Sequence, residues 1–440
     1  MFLLIYFIQI LFWYFILKKI LKYNLFEIRF ITFILSLIII FNYLGYPFLY
    51  YQLDKFRALD VDLNIINKLF YVNSLSINLI ILTYIFLTIF KKNILYPSFY
   101  NSSDNYKQLN HIQFMVILFF IFTCFYVFLL YLTKLGTDNI AFLNALRGFD
   151  ALTVAQNRSS MGNSFIGKVH RYQLFFYDIL PFLFFILFAN YLIKPTKFGF
   201  LMIVLIFLPI IFILLVSANK AKVPWFFIGC FITYSITKNE SKINLKYSLY
   251  LFLILILFVS FLYQLFNPNI SLENAYLSFF SRIFTGPIQA ASYYYYFFPD
   301  FHEFLKGRSF PNPGGIFPFE SISITQLISD LVNYDEYMKR DIRGSTPAIF
   351  WAEMYGNFSY LGIIISSIFV SIILFFWDSV FSNSKLSSLK IGFMTWLLLH
   401  YKDLSVSGFS KYLIDIKLIL VILILSIIVL IQNTKVTYKK

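Results

Sequence analysis

Long apolar runs, each ended by a short polar or charged interval, recur from one end of this chain to the other. They fall near 2–17, 30–50, 69–90, 111–133, 172–193, 198–217, 223–237, 247–266, 346–377, 387–402 and 413–432. A helix needs about 20 apolar residues to cross a hydrocarbon core of roughly 30 Å. In lipid the backbone must also satisfy its own hydrogen bonds, which a helix does. The pattern predicts an all-α polytopic membrane protein of about 11 transmembrane helices, one integral membrane domain over 1–440. Two longer intervals between the runs stand out, at 134–171 and 267–345.

Composition agrees. The 440 residues are 60% hydrophobic and only 13% charged, against roughly 25% charged in a soluble domain. Met1 leads straight into the first run, with no basic region and no small-residue cleavage site, so no removable signal peptide is expected. Cys124 and Cys230 lie inside apolar runs and read as small buried side chains, not as a disulfide or metal pair. The net charge of +15 has no soluble basic domain in which to meet nucleic acid, so it is read as setting topology and meeting membrane lipid.

The positions of the charges orient the chain. Lys18, Lys19, Lys22 and Arg29 follow the first run against one acid, Glu27, which marks that interval cytoplasmic and the N-terminus external. Alternation then makes Lys91, Lys92 and Lys107 cytoplasmic, with Lys194 and Lys197, Lys238 to Lys246, Lys385 and Lys390, and the tail Lys435, Lys439 and Lys440. The final hairpin fits least well, because Lys402, Lys411 and Lys417 crowd it. Segments 134–171 and 267–345 become external, as does the corner 217–222. Every Arg except Arg29 then lies outside: Arg57, Arg147, Arg158, Arg171, Arg282, Arg308, Arg340 and Arg343. A guanidinium matches phosphate oxygens in bidentate fashion and keeps its charge. The arrangement therefore suggests an anionic ligand at the outer face, the plainer reading being scattered solvated charge.

Taken singly, the external segments differ in what they offer. Asp60 and Asp62 form a DxD, but Lys55, Arg57 and Lys68 balance it and a solvated loop is the better reading. Lys220 and Lys222 interrupt an apolar hairpin near the membrane boundary; they face a cavity or partner, or else snorkel to the interface. The region up to Tyr296 is apolar enough for interfacial or re-entrant helices, and Tyr293 to Tyr296 read as an aromatic belt rather than a platform for sugars. Arg282 precedes Thr285-Gly286-Pro287, whereas Arg308 follows His302, an exposed histidine that is either a general base or inert. Thr346 and Pro347 predict a helix start, with Thr346 as N-cap. Glu353, between Trp351 and Tyr355, then sits where the chain re-enters the bilayer. It is a functional carboxylate or half of a structural ion pair with an Arg or Lys.

The order of these features resembles the oligosaccharide repeat-unit polymerases, the O-antigen and capsule polymerases of Wzy type. The residues that carry the likeness are Ser217-Ala-Asn-Lys220, Arg282-Ile-Phe-Thr-Gly286-Pro287, and Ser345-Thr-Pro347 followed by Ala352-Glu353-Met-Tyr355-Gly-Asn357-Phe-Ser-Tyr-Leu-Gly362. The architecture spans the whole chain, but the motifs cover only a small part of it. The resemblance implies a GT-C-like helical bundle in the bacterial inner membrane. It would transfer a growing glycan from undecaprenyl diphosphate to a new lipid-linked repeat unit at the external face, without metal or cofactor. Its implied partners are undecaprenyl-diphosphate-linked oligosaccharides, membrane lipids, a chain-length regulator and a flippase. Glu353, Arg282 and His302 become the catalytic candidates, and Arg147, Arg158, Arg171, Lys220, Lys222, Arg308, Arg343 and Tyr355 the diphosphate and substrate contacts. An O-antigen ligase built around His302, a flippase, and a metal-dependent transferase using Asp60 and Asp62 are the competing expectations.

Overall fold

A computed structural model describes residues 1–24, 26–57, 62–91, 107–163, 169–266, 270–334, 344–382 and 386–433. Among these residues no strand forms, and nine helices are long and apolar enough to cross a membrane. The chain is thus an all-α protein of many membrane-spanning helices. Two of the predicted spans are helices too short for that on their own. Lys222–Lys238 has 17 residues and Ser388–Tyr401 has 14, or about 26 and 21 Å at 1.5 Å per residue. The chain divides into two compact units, one of 1–99, 276–383 and 400–414, the other of 100–275, 384–399 and 415–440.

The first unit is organised by two long helices, Leu63–Phe90 and Phe350–Ser382. Small hydroxyl residues let them approach: Ser76 and Ser367 share a hydrogen bond of 2.8 Å, and Ser371 donates to the Ile80 carbonyl at 2.8 Å. In lipid, whose tails are as apolar as a leucine side chain, close packing of small residues and such bonds hold helices together. Asp62 caps the first of these helices, accepting the Asn64 N–H at 2.8 Å. That gives Asp62 a structural task, while Asp60 lies outside the described residues. Asp378, buried within the second, accepts the N–H groups of Phe30 and Ile31 at 2.8 and 3.2 Å and the Tyr84 hydroxyl at 2.9 Å. A carboxylate inside a span here closes the start of the Phe30–Asn42 helix, whose first donors have no partners of their own.

The Phe350–Ser382 helix is not continuous. Phe358 and Ser359 leave helical geometry, Ser359 with φ of 56°. Gly362 consequently lies against the Met354 carbonyl with no room for a Cβ; eight residues along an unbroken helix they would stand about 12 Å apart. The short arm 350–357 is therefore folded back on the long one. Its start also departs from expectation. Thr346 does not cap it, because the Thr346 N–H donates to the Thr325 carbonyl at 2.9 Å and the Thr346 carbonyl accepts the Tyr294 hydroxyl at 2.8 Å. Those tertiary bonds keep 344–349 out of helix, which begins at Phe350.

In the second unit the Leu180–Ile193 helix is buried along nearly its whole length. Glycines bring its neighbours close: a Cβ on Gly229 would strike Phe185, and one on Gly392 would strike the backbone of Ile186. At one end Asn190 Oδ1 accepts the Leu109 N–H at 2.9 Å and the Ser388 hydroxyl at 3.2 Å. Polar intervals around 107, 190 and 388 thus meet there. At the opposite end the chain enters this helix through a π-helical turn, Leu174–Ile179. Wide turns of this kind often mark functional positions.

Candidate functional site

Tyr177 and Asp178 lie in that π turn, and the most concentrated cationic chemistry of the second unit gathers around them. The corner between the Lys197–Leu215 and Lys222–Lys238 helices is closed by Asn219, whose Oδ1 accepts the Ala221 N–H at 3.0 Å. Such an Asx turn projects the side chains on either side of it. Lys220 Nζ lies 3.5 Å from the centroid of the Tyr263 ring and 5.5 Å from that of Phe266. Lys222 Nζ lies 3.1 Å from the Tyr177 centroid and donates to Ser217 Oγ at 3.0 Å. Both lysines are thus held by aromatic faces, which attract a cation without cancelling its charge. Arg158, exposed on the Ala151–Asn163 helix, is within electrostatic range of Lys222 and Tyr177.

The other cations of the 134–171 segment are placed differently. Arg147 pairs with Asp138 at 3.5 Å and reaches Asn144 Oδ1 at 3.4 Å, so it folds its own loop. Arg171 is exposed and forms no ion pair among the described residues.

In the first unit Glu353 is only 2% exposed. Its Oε1 accepts the Ser309 hydroxyl at 2.8 Å and its Oε2 accepts the Ser410 N–H at 2.9 Å. Asn357 Nδ2 donates both to Ser309 Oγ at 2.8 Å and to the Glu353 carbonyl at 2.9 Å, while Asn357 Oδ1 accepts the Gly307 N–H at 3.0 Å. Gly408 packs so tightly on the carboxylate that a Cβ there would collide with it. The short arm 350–357 therefore clasps two loops, 305–310 and 406–411. No Arg or Lys pairs with Glu353 among the described residues; of the two readings the ion pair does not form, and neutral donors hold the carboxylate. Beside it, Asp403 bridges Lys402 at 2.5 Å and Lys411 at 2.9 Å. Burial by itself would raise the Asp403 carboxyl, but the two ammonium groups hold it well below the usual carboxylate range.

No family model, curated protein or solved structure matches this chain.

The remaining sequence candidates of this unit are dispersed. Tyr355 stacks on Tyr295 with centroids 4.2 Å apart, and the Tyr295 hydroxyl bonds that of Tyr360 across the helix break. The tyrosine run is thus divided, Tyr294 buried, Tyr295 packed on Tyr355 and Tyr296 exposed. His302 is half-buried against the Phe297 and Phe298 rings, each 5.7 Å away, with Nδ1 2.6 Å from the Glu303 carbonyl. Arg282 and Arg308 are exposed and form no ion pair among the described residues. Arg343 lies outside the described residues. Arg57 overturns the solvated-loop expectation: its Nε donates to Ser281 Oγ at 3.0 Å and its guanidinium to Gln289 Oε1 at 2.5 Å. Asp54 accepts the Thr285 hydroxyl. The residues flanking Arg282 therefore serve as a receptor for the 54–57 loop. Sequence reasoning missed Tyr177, Asp178, Ser309, Ser410 and Lys417; only the crowding of Lys411 and Lys417 in the last hairpin was a signal.

Proposed function

We propose that this chain is a membrane glycosyltransferase that joins lipid-diphosphate-linked oligosaccharide repeat units at the external face of the bacterial inner membrane. The observation that carries the reading is the corner 217–222, where Lys220 and Lys222 rest on aromatic rings, Lys222 with no carboxylate at ion-pair distance among the described residues, and Arg158 lies within electrostatic range of Lys222. Amines held against aromatic faces in this way suit a diphosphate, whose charge favours their protonated form. In such a transfer the acceptor hydroxyl oxygen bonds to the anomeric carbon as the bond from that carbon to the diphosphate oxygen breaks. The leaving lipid diphosphate gains negative charge, and fixed cations stabilise it without proton transfer. The hydroxyl proton goes to a general base. The alternative of delivery to a lipid A core draws on His302, whose ring is packed on two phenylalanines with one nitrogen engaged.

The glycan ladder of a deletion strain decides between them. Single repeat units on the core indicate a lost polymerase. Long chains left on the lipid carrier indicate a lost ligase, and an unaltered ladder removes the transferase reading altogether.

A further inference from the structure

The cationic corner has a second half. Lys417 Nζ lies 3.0 Å from Oδ1 and 2.9 Å from Oδ2 of Asp178, so both oxygens of that carboxylate are turned to one ammonium. The Lys417 side chain is 51% exposed and that of Asp178 17%. An ion pair so open to solvent is weak and readily exchanged. Lys222, by contrast, has no carboxylate at ion-pair distance among the described residues, although Arg158, Asp178 and Lys417 all lie within its electrostatic range. Between these groups the buried Tyr177 hydroxyl approaches Ser217 without reaching hydrogen-bonding geometry. A buried donor left unmade is unfavourable and rare; an arriving phosphoryl oxygen would satisfy it.

We propose that Asp178 and Lys417 form the exchangeable half of a prenyl-diphosphate site: Asp178 holds Lys417 at rest, and the diphosphate takes its place between Lys417 and Lys222. The inference rests on the diphosphate reading above and adds two residues to it. Two linked phosphoryl groups carry more charge and span a longer distance than one, so each can accept from a different ammonium group. A diphosphate is therefore expected to gain more from the pair than a monophosphate. Asp178 keeps Lys417 extended and its charge balanced while the site is empty, so that no bond made at rest needs to be replaced by water.

The test is titration of the purified full chain in detergent with farnesyl diphosphate and, separately, farnesyl monophosphate. Lys417→Met is expected to weaken diphosphate binding about ten- to a hundredfold, the scale of one hydrogen bond to a charged group, and to leave the monophosphate little changed. Lys417→Arg should retain binding. Asp178→Asn releases Lys417 from that carboxylate and should tighten the diphosphate several-fold; that sign separates a displaced counter-ion from a structural clamp and keeps the test decisive if Lys417→Met misfolds. Weaker binding in Asp178→Asn would overturn the inference. So would unchanged binding in both variants while Lys222→Met loses it, an outcome that leaves the diphosphate reading standing. A wild-type chain that binds no farnesyl diphosphate brings down both.

Discussion

Glu353 offers the sharpest separation of a chemical role from a structural one. Its carboxylate accepts from the Ser309 hydroxyl and the Ser410 N–H, and it is nearly sealed from solvent. Hydrogen bonds to a charged group contribute about 1.5–3 kcal/mol each. Glu353→Ala removes two acceptors at once and is expected to destabilise the protein by about 3–5 kcal/mol, part of it from the stranded Ser410 donor. Glu353→Gln retains one oxygen for Ser410, and its amide can donate to Ser309, whose hydroxyl is free to rotate; about 1–2 kcal/mol is expected. Gly408→Ala presses a methyl group into the same carboxylate and should destabilise in the same direction. Thermal unfolding in detergent reads these changes, through the fluorescence of Trp351 two residues away. If Glu353→Ala melts with the wild-type protein, the clasp has no energetic meaning and the reasoning fails. Activity then distinguishes the roles. Long glycan at a normal rate from a folded Glu353→Gln leaves the carboxylate a clasp. A fall of about 100–1,000-fold at near-wild-type stability makes its charge part of the reaction.

Other expectations follow from single contacts. Arg57→Ala should lower expression and melting temperature, since Arg57 joins the 54–57 loop to Ser281 and Gln289; a melt unchanged from wild type would return it to the solvated class. Arg282, exposed and outside any ion pair among the described residues, should lose activity even as Arg282→Lys if it holds a phosphate in bidentate fashion. Full-length polymer from that variant would remove it from the site. Reporter fusions after Lys107 and Lys246 should read cytoplasmic and those after Arg158 and Pro313 external, and the reverse at Lys246 would invert the proposed placement.

The helices were legible because the bilayer sets a length, and apolar runs of that length can be read directly from the chain. Each predicted span has a helix at its position, although Lys222–Lys238 and Ser388–Tyr401 are shorter than a crossing requires. The cationic corner was legible as well, since two lysines in an apolar hairpin demand an explanation. Their partners were not. Tyr177, Asp178 and Lys417 come from segments about 45 and 200 residues away from the corner, and only helix packing brings them together: Lys197–Leu215 and Lys222–Lys238 pack on Leu180–Ile193, and Ile416–Asn433 packs on the π turn and on His111–Leu135. The break at Phe358 and Ser359 was equally hidden, because no proline marks it; it is imposed by what the arm 350–357 touches. The sequence placed Glu353 at a membrane entry and left open a functional carboxylate or a structural ion pair. Tertiary structure supplied neutral donors instead, because the loops folded back onto it are held by a serine hydroxyl and a backbone N–H. Hydrophobic period fixes what crosses lipid; which polar group meets which is decided only when distant loops are closed against one another.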